Sequence, residues 1–166
     1  MQVQKLKKLE RIAVFPGSFD PFTIGHESIV KRGLYLFDRI IIAVGINTNK
    51  VDFFPVEKRV QWIKEAFEFE ERVSVHSYEG LTVDFCKRMN ANFILRGLRT
   101  SADFEYERSI AQVNKAMNNE IETVFILTDP EYSAVTSTLV RDIIRHGGDA
   151  SKFLPNSRDL RNYRIH

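Results

Sequence analysis

The chain has few of the features that cross-link, anchor or strongly charge a protein. Its 166 residues include one cysteine, Cys86, so no disulfide can form within the chain, as is typical of a reducing compartment. No apolar run is long enough to cross a membrane, and no apolar signal-peptide segment follows the basic N-terminal residues. With 24 basic and 22 acidic residues the formal net charge is only +2, which gives no general attraction to nucleic acid. These absences predict a cytoplasmic protein that binds neither membranes nor nucleic acid.

Common catalytic signatures are also missing from the sequence. There is no Gly-rich lysine motif of the Walker type, so the usual P-loop grip on nucleotide phosphates is not expected. No serine lies in a nucleophile-elbow motif, and no set of His, Asp and Cys has metal-ligand spacing. Cys86 has no neighbour at such spacing either, and we interpret it as a small buried hydrophobe.

Apolar runs and amphipathic segments alternate along the chain. Short runs rich in β-branched residues predict strands at Ile12–Phe15, Ile40–Val44, Val73–Val75, Phe93–Leu95 and Val124–Leu127. Apolar stripes at helical spacing predict helices over Glu57–Phe67, Thr100–Asn118 and Ser137–His146. This alternation predicts an α/β protein with a doubly wound, five-stranded parallel sheet of the Rossmann-like type. One domain is expected over residues 1–166, with an extension at 1–10 and a tail at 156–166 of undecided structure.

The ends of two predicted helices carry their own signals. Thr100 and Asp103 fit a capping box at the start of the second helix. The pair Gly147-Gly148 is a good stop after the third helix, where His146 lies near the negative end of the helix dipole. We interpret His146 and His76 as cap or surface residues, and Asp20, which precedes Pro21, as a structural turn residue.

Four loops should meet at the carboxyl edge of such a sheet, where open α/β sheets bind their ligands. The first loop holds Gly17, Ser18 and His26 between an apolar strand and an amphipathic helix. The other three contain the segments Asn47–Lys50, Arg96–Arg99 and Thr128–Thr138. Histidine, lysine, two arginines and helix N-termini with free N–H groups suit a polyphosphate ligand.

The same loops offer cations and hydrogen-bond donors but no obvious general base. Phosphoryl-type transfer can proceed mainly through positioning and charge stabilisation. A phosphate acceptor is already anionic near neutral pH, and therefore needs no base to activate it. Direct nucleotidyl transfer to a phosphate acceptor is the reaction that best fits this set of residues.

The segment Pro16 to His26 resembles the nucleotidylyltransferase superfamily, which has a (His/Thr)-x-Gly-His motif after its first strand. Here the motif is Thr23-Ile24-Gly25-His26, so only His26 can take the histidine role. Two further segments are similar to the phosphopantetheine adenylyltransferase family: ILRGLR at 94–99 followed by ADFEYE, and TSTLVR at 136–141 followed by Gly-Asp and Phe-Leu-Pro. The resemblance extends from about Arg11 to Pro155, with the motifs in the family's order.

The resemblance implies a reaction and a set of partners. It implies transfer of AMP from ATP to 4′-phosphopantetheine, giving dephospho-coenzyme A and pyrophosphate in coenzyme A biosynthesis, with Mg²⁺ as cofactor. We expect in-line transfer without a covalent intermediate. The resemblance also implies a cytoplasmic homohexamer, with coenzyme A as a candidate feedback ligand.

It further implies roles for individual residues. The residues implied to stabilise the transition state are His26, Lys50 and Arg99. The residues implied to bind the acceptor substrate are Ser18, Lys50, Thr82 and Arg96. The residues implied to bind ATP are Ser18, Phe19, His26, Gly97, Leu98, Arg99, Glu107, Tyr132, Ser133, Ala134, Val135, Thr136, Ser137 and Thr138.

Plainer interpretations exist for several of these residues. Lys50 could be a solvated loop lysine, Glu107 an exposed helix carboxylate, and the cluster Thr136–Thr138 no more than an N-cap. Two other functions are also open. One is a different nucleotidylyltransferase, acting on nicotinate mononucleotide or transferring a cytidylyl group. The other is a non-catalytic sensor of ATP or of a coenzyme A metabolite.

Overall fold

Five apolar segments form a single parallel sheet. The computed structural model, which describes residues 9–161 and 163, gives the strands β1 (Ile12–Gly17), β2 (Arg39–Gly45), β3 (Val73–Tyr78), β4 (Phe93–Leu98) and β5 (Glu122–Leu127). Their order across the sheet is β3-β2-β1-β4-β5, and every neighbouring pair is parallel. The predicted five-stranded α/β fold is therefore confirmed. Residues 1–8 of the predicted extension lie outside the described residues.

Helices connect the strands. They are α1 (Ile24–Gly33), α2 (Val56–Ala66), α3 (Thr82–Arg88), α4 (Ser101–Met117) and α5 (Ser137–Arg145). Three 3₁₀ turns follow the last strand, at Pro130–Tyr132, Ser151–Phe153 and Pro155–Ser157. The predicted helix bounds differ from these by one residue at an end, which is the usual uncertainty of fraying helix termini. Helix α3 has only seven residues, which is too short for a clear apolar period.

Side chains that alternate along each strand fill two apolar layers, one on each face of the sheet. On one face Ala13 and Phe15 pack with Ile29 of α1 and Ile63 of α2. On the other face Val14 packs in the layer that contains Cys86 of α3, which is fully buried as predicted. Burial raises the pKa of the Cys86 thiol to about 11, so this thiol stays protonated near neutral pH.

The sheet opens between its central strand, β1, and the neighbouring strand β4. The ladder between β1 and β4 pairs only Ala13 with Phe93 and Val14 with Ile94, although both strands continue towards their carboxyl ends. Strands β2 and β3 lie on one side of β1, and strands β4 and β5 lie on the other side. This reversal is a topological switch point, where open α/β sheets form a ligand crevice.

The described part of the C-terminal tail, residues 156–161 and 163, packs beside α2 and contains no α-helix; residues 162 and 164–166 lie outside the described residues. Leu160 is buried in a third apolar cluster with Phe54, and Tyr163 packs against the same cluster. The Tyr163 ring lies 5.3 Å from the rings of both Phe54 and Trp62. Within residues 9–161 and 163, no helix has both the length and the apolarity to span a membrane.

Candidate active site

A cleft of about 550 Å³ lies at the carboxyl ends of β1 and β4, a size typical of small-molecule sites. It contains the N-termini of α1 and α5, whose first N–H groups favour anions. The predicted site residues that line it are Ser18, His26, Arg96, Gly97, Arg99, Glu107, Tyr132, Val135, Thr136, Ser137 and Thr138. The structure therefore brings residues from distant parts of the chain into one cleft at the predicted edge of the sheet. The prediction that Arg96–Arg99 form a loop is wrong for Arg96–Leu98, which are the last residues of β4.

His26 closes the first turn of α1. Its Nδ1 accepts a hydrogen bond of 3.0 Å from the backbone N–H of Thr23, while the Thr23 hydroxyl accepts from the His26 N–H. Because Nδ1 is an acceptor, the neutral ring carries its proton on Nε2. Burial, assisted by the positive charges of Arg96 and Arg99, lowers the pKa of His26 to about 3. The imidazole is therefore a neutral hydrogen-bond donor at the cleft.

Three phenylalanine rings fix the orientation of this imidazole. The rings of Phe19 and Phe22 lie 5.1 and 5.3 Å from the His26 ring, and that of Phe15 lies 6.3 Å away. Phe19 is itself buried, with a φ of 48°. A Cβ at Gly17 would lie 2.8 Å from the Phe19 ring, so this packing requires glycine there. Phe19 supports the cleft from behind and is not among the residues that line it.

Arg96 and Glu107 form a two-point ion pair across the cleft floor. The Glu107 carboxylate accepts from Arg96 Nε at 2.9 Å and from Nη2 at 2.5 Å. Arg96 Nη1 donates to the carbonyl of Pro16 at 2.5 Å, which links the diverging ends of β4 and β1. These bonds use three of the five guanidinium hydrogens and leave two for a ligand. The interpretation of Glu107 as an exposed helix carboxylate is wrong, because only 8% of it is exposed.

Arg99 and Asp103 form a second pair at the cleft mouth. The Thr100 side chain caps α4 by accepting from the Asp103 N–H at 3.2 Å, as predicted. The Asp103 carboxylate does not complete the predicted capping box, however, and accepts from Nε of Arg99 at 3.1 Å and from its backbone N–H. This pairing holds the Arg99 guanidinium beside the cleft.

The N-terminus of α5 supplies hydroxyls and one arginine that the sequence analysis did not assign to the site. Thr136 is the N-cap and accepts from the N–H of Leu139 at 3.1 Å. Arg141 lies one turn later, donating to Thr138 Oγ1 and to the Asp20 carbonyl. Its position three residues after Thr138 on a helix is the signal that could have identified it.

Lys50 lies in an adjoining cavity rather than in the main cleft. This second cavity, of about 570 Å³, is lined by Ser18, Lys50, Arg141 and Arg145 among others. Ser18 and Arg141 line both cavities, so the two adjoin at these residues. The Lys50 side chain is exposed, and the structure leaves it available to an anion bound between the cavities.

Some predicted contacts lie outside the cleft lining. Leu98 is buried and does not line the cleft, and Ser133 and Ala134 are exposed on the turn after Tyr132. Thr82 lies at the start of α3, where its hydroxyl is 2.8 Å from that of Tyr78. Tyr78 lines a third cavity together with Ser18, so Thr82 lies behind that cavity.

Asp20 has the structural role that its turn position predicted. Its buried carboxylate accepts from the backbone N–H groups of Phe53 and Phe54, at 2.7 and 2.8 Å. The predicted cap and surface roles of His146 and His76 are also confirmed. His146 caps α5, with Nδ1 2.8 Å from the Asp142 carbonyl, and His76 is exposed on β3.

Within residues 9–161 and 163, carboxylates and histidines do not cluster around a metal position. In the part of the chain that the structure describes, no group of three or more His, Cys, Asp or Glu side chains could hold a metal ion. The two carboxylates at the cleft, Asp103 and Glu107, already pair with arginines. The donor set therefore suits phosphate oxygens better than a resident metal.

Comparisons with known proteins agree with this geometry. A cytidylyltransferase-like family model matches residues 14–143. The chain is 54% identical to a phosphopantetheine adenylyltransferase of Flavobacterium psychrophilum over 147 residues, 89% of this chain and 97% of that protein. It is 47% identical to the Bacteroides fragilis protein of the same name over 150 residues, 90% and 99% of the two chains.

A likeness of fold also extends to solved structures. The chain resembles a bifunctional NMN adenylyltransferase/ADP ribose pyrophosphatase from Francisella tularensis, with a TM-score of 0.68 and 17% identity. The match covers 93% of this chain and 48% of that protein, so this chain spans about half its length. At this identity the likeness shows the fold alone.

Proposed function

This chain belongs to the phosphopantetheine adenylyltransferase family, and we propose that it transfers AMP from ATP to 4′-phosphopantetheine, releasing pyrophosphate. The products would be dephospho-coenzyme A and pyrophosphate, in a step of coenzyme A biosynthesis. The observation that carries the proposal is the cleft at the switch point, in which His26, Arg96 and Arg99 meet the N-termini of two helices. Such a concentration of fixed donors favours the phosphates of two substrates.

The two cavities suggest a division between the substrates. We assign ATP to the main cleft, which is lined by Tyr132 and the segment Val135–Thr138 together with Glu107 and Arg99. We assign the acceptor to the side of Ser18 and Lys50, with its phosphate between Lys50 and the free hydrogens of Arg96. Ser18, which lines all three cavities, would then contact both substrates.

The chemistry follows from charge rather than from proton transfer. The acceptor phosphate is anionic near neutral pH and attacks the α-phosphorus of ATP in line, while the bond to the pyrophosphate oxygen breaks. His26 donates from Nε2 to an oxygen on which charge builds, and Lys50 and Arg99 neutralise that charge. A pKa of about 3 keeps His26 uncharged throughout the physiological range, so its role is that of a fixed donor.

We treat Mg²⁺ as part of the nucleotide substrate. Magnesium in nucleotide sites is commonly held by phosphate oxygens and water, with few protein ligands. Such an arrangement is consistent with the arginine-paired carboxylates of the cleft. The ion would supply charge neutralisation to the triphosphate, and the residues of this chain orient the phosphates around it.

We also propose the assembly, regulation and location that the family implies. A cytoplasmic homohexamer would cover the exposed apolar side chains of α4, among them Ile110, Val113 and Met117. Coenzyme A would be a feedback ligand, because it carries the same pantetheine arm as the acceptor. No role in nucleic-acid binding is proposed, since the chain's charge is nearly balanced.

One assay tests the proposed reaction. Pyrophosphate release is measured from ATP and Mg²⁺ alone, with 4′-phosphopantetheine, and with nicotinate mononucleotide as the competing acceptor. The proposal expects release that depends on phosphopantetheine. Greater pyrophosphate release with nicotinate mononucleotide than with phosphopantetheine would show that the proposed acceptor is wrong. Tight ATP binding without pyrophosphate release would favour a non-catalytic sensor.

A further inference from the structure

A buried arginine outside the proposed binding residues connects the two sides of the site. Arg59, in the first turn of α2, is only 1% exposed. A buried charge is costly unless it is paired and hydrogen-bonded, so its partners show what the residue does. No sequence pattern marks Arg59, because an arginine in the first turn of a helix is ordinarily solvated.

All three partners of Arg59 belong to loops at the carboxyl edge of the sheet. One terminal nitrogen donates to the Ser18 carbonyl at 2.5 Å, and Nε donates to the Phe54 carbonyl at 2.9 Å. The other terminal nitrogen lies 2.6 Å from a carboxylate oxygen of Asp52. This contact is an ion pair that lacks hydrogen-bond geometry. One planar guanidinium thus spans the loop of Ser18 and the segment that follows Lys50.

Asp20 makes the reciprocal connection. Its carboxylate extends from the Ser18 loop and accepts from the N–H groups of Phe53 and Phe54. We call the five contacts of Arg59 and Asp20 with Ser18, Asp52, Phe53 and Phe54 the Arg59 brace. The apolar cluster of Phe54 with Trp62 already anchors the Phe54 side, so the contact that Arg59 adds is the one to Ser18.

We infer that Arg59 is a positioning residue that sets the separation between Ser18 and Lys50, and so aligns the acceptor with the nucleotide. This inference rests on the proposed function. Arg59 touches no substrate in this scheme; it fixes the Ser18 carbonyl and the chain two residues after Lys50. A misplacement of about 1 Å between reacting groups can reduce turnover on the order of 100-fold.

The main test is a double-mutant cycle on turnover. Arg59→Met removes the three Arg59 contacts of the brace while keeping a long side chain. We expect kcat to fall about 10- to 100-fold with a much smaller change in the KM for ATP. Lys50→Ala removes the group that is positioned. In the double variant the loss should be close to that of Lys50→Ala alone, because a misplaced lysine and an absent one are equivalent. Losses that multiply, or an unchanged kcat for Arg59→Met, would overturn the inference.

Two further variants and one matched control complete the test. Arg59→Lys keeps the buried charge beside Asp52 but lacks the fork that reaches two carbonyls, so it should recover stability and not turnover. Asp52→Asn removes the negative charge that pairs with Arg59, and Asp52 is partly exposed. This variant replaces Arg59→Met in the test if Arg59→Met does not fold. Arg72→Met is the matched control. Like Arg59, Arg72 joins a backbone carbonyl, that of Leu34, to a carboxylate, that of Glu70. Unlike Arg59, it precedes β3 and lies at the opposite edge of the sheet.

A second measurement is independent of the reaction. Amide hydrogen exchange of residues 46–54 should be faster in Arg59→Met than in the wild type and in Arg72→Met. If wild-type protein releases no pyrophosphate with phosphopantetheine, the proposed function fails while the exchange result still tests the brace. Unchanged exchange at these residues would overturn the brace even in an active enzyme.

Discussion

The two nitrogens of His26 have separate tasks, and one substitution can separate them. Nδ1 accepts from the Thr23 N–H and closes the first turn of α1, while Nε2 carries the proton that is offered to the cleft. Asparagine has an acceptor oxygen at the same position along the side chain as Nδ1, and nothing at the position of Nε2. His26→Asn should therefore keep the helix cap and remove the donor.

The two contributions differ in size and in what they affect. A helix-cap hydrogen bond contributes about 1 kcal/mol to stability. A donor that binds charge developing in a transition state contributes about 2.7–4 kcal/mol, or roughly 10²–10³ in turnover. We expect His26→Asn to lose turnover on this larger scale, with little loss of cap stability. His26→Ala should lose the same turnover and in addition about 1 kcal/mol of stability.

Turnover is measured by pyrophosphate release at saturating ATP and phosphopantetheine, and stability by urea denaturation of the same samples. His26→Gln is the matched control, because its amide can extend to the position of Nε2 but leaves the cap acceptor less well placed. It should retain more turnover than His26→Asn. A folded His26→Asn enzyme with kcat within about threefold of the wild type would refute the donor role, set against the 10²–10³ expected.

Three further predictions concern pH, the ion pair and assembly. The His26 pKa of about 3 in the folded protein lies below its ordinary value of 6.5. Between these two pH values His26 is protonated in the unfolded chain but not in the folded one. The free energy of unfolding should therefore fall as the pH drops from about 6.5 towards 3. Across this range the midpoint of urea denaturation should change more per pH unit in the wild type than in His26→Asn. An equal change in both proteins would contradict the lowered pKa. Glu107→Gln should reduce kcat/KM for phosphopantetheine about tenfold, because a charge-assisted hydrogen bond of about 1.5 kcal/mol orients Arg96. Unchanged steady-state kinetics would show that Arg96 does not need the Glu107 carboxylate. Val113→Arg should dissociate the proposed homo-oligomer in light scattering and Gln112→Arg should not; a monomeric wild type would exclude the assembly.

Local sequence patterns were sufficient for the elements of the fold and for the centre of the site. The β-branched runs predicted all five strands, because a strand buried on both faces needs apolar residues throughout. The glycine turn and His26 after β1 predicted the ligand edge, because parallel strands end at the same side of the sheet. The Thr100 cap and the stop at Gly147 were likewise local and were confirmed.

What the sequence could not supply is the partner of each charged side chain. Arg96 binds a carbonyl 80 residues away, Arg141 one 121 residues away, and Arg59 one 41 residues away. The Arg96 contact exists because the strand order places β4 beside β1, and the other two join helices α5 and α2 to the loop after β1. A periodic pattern carries no information about which distant backbone a side chain will meet. The sequence by itself therefore determined the strands, four of the five helices and the edge of the sheet at which the cleft lies. Only the tertiary structure decided that Glu107 is buried against Arg96, that Arg141 reaches the cleft, and that Arg59 joins its two sides, because burial and pairing depend on packing between segments far apart in the chain.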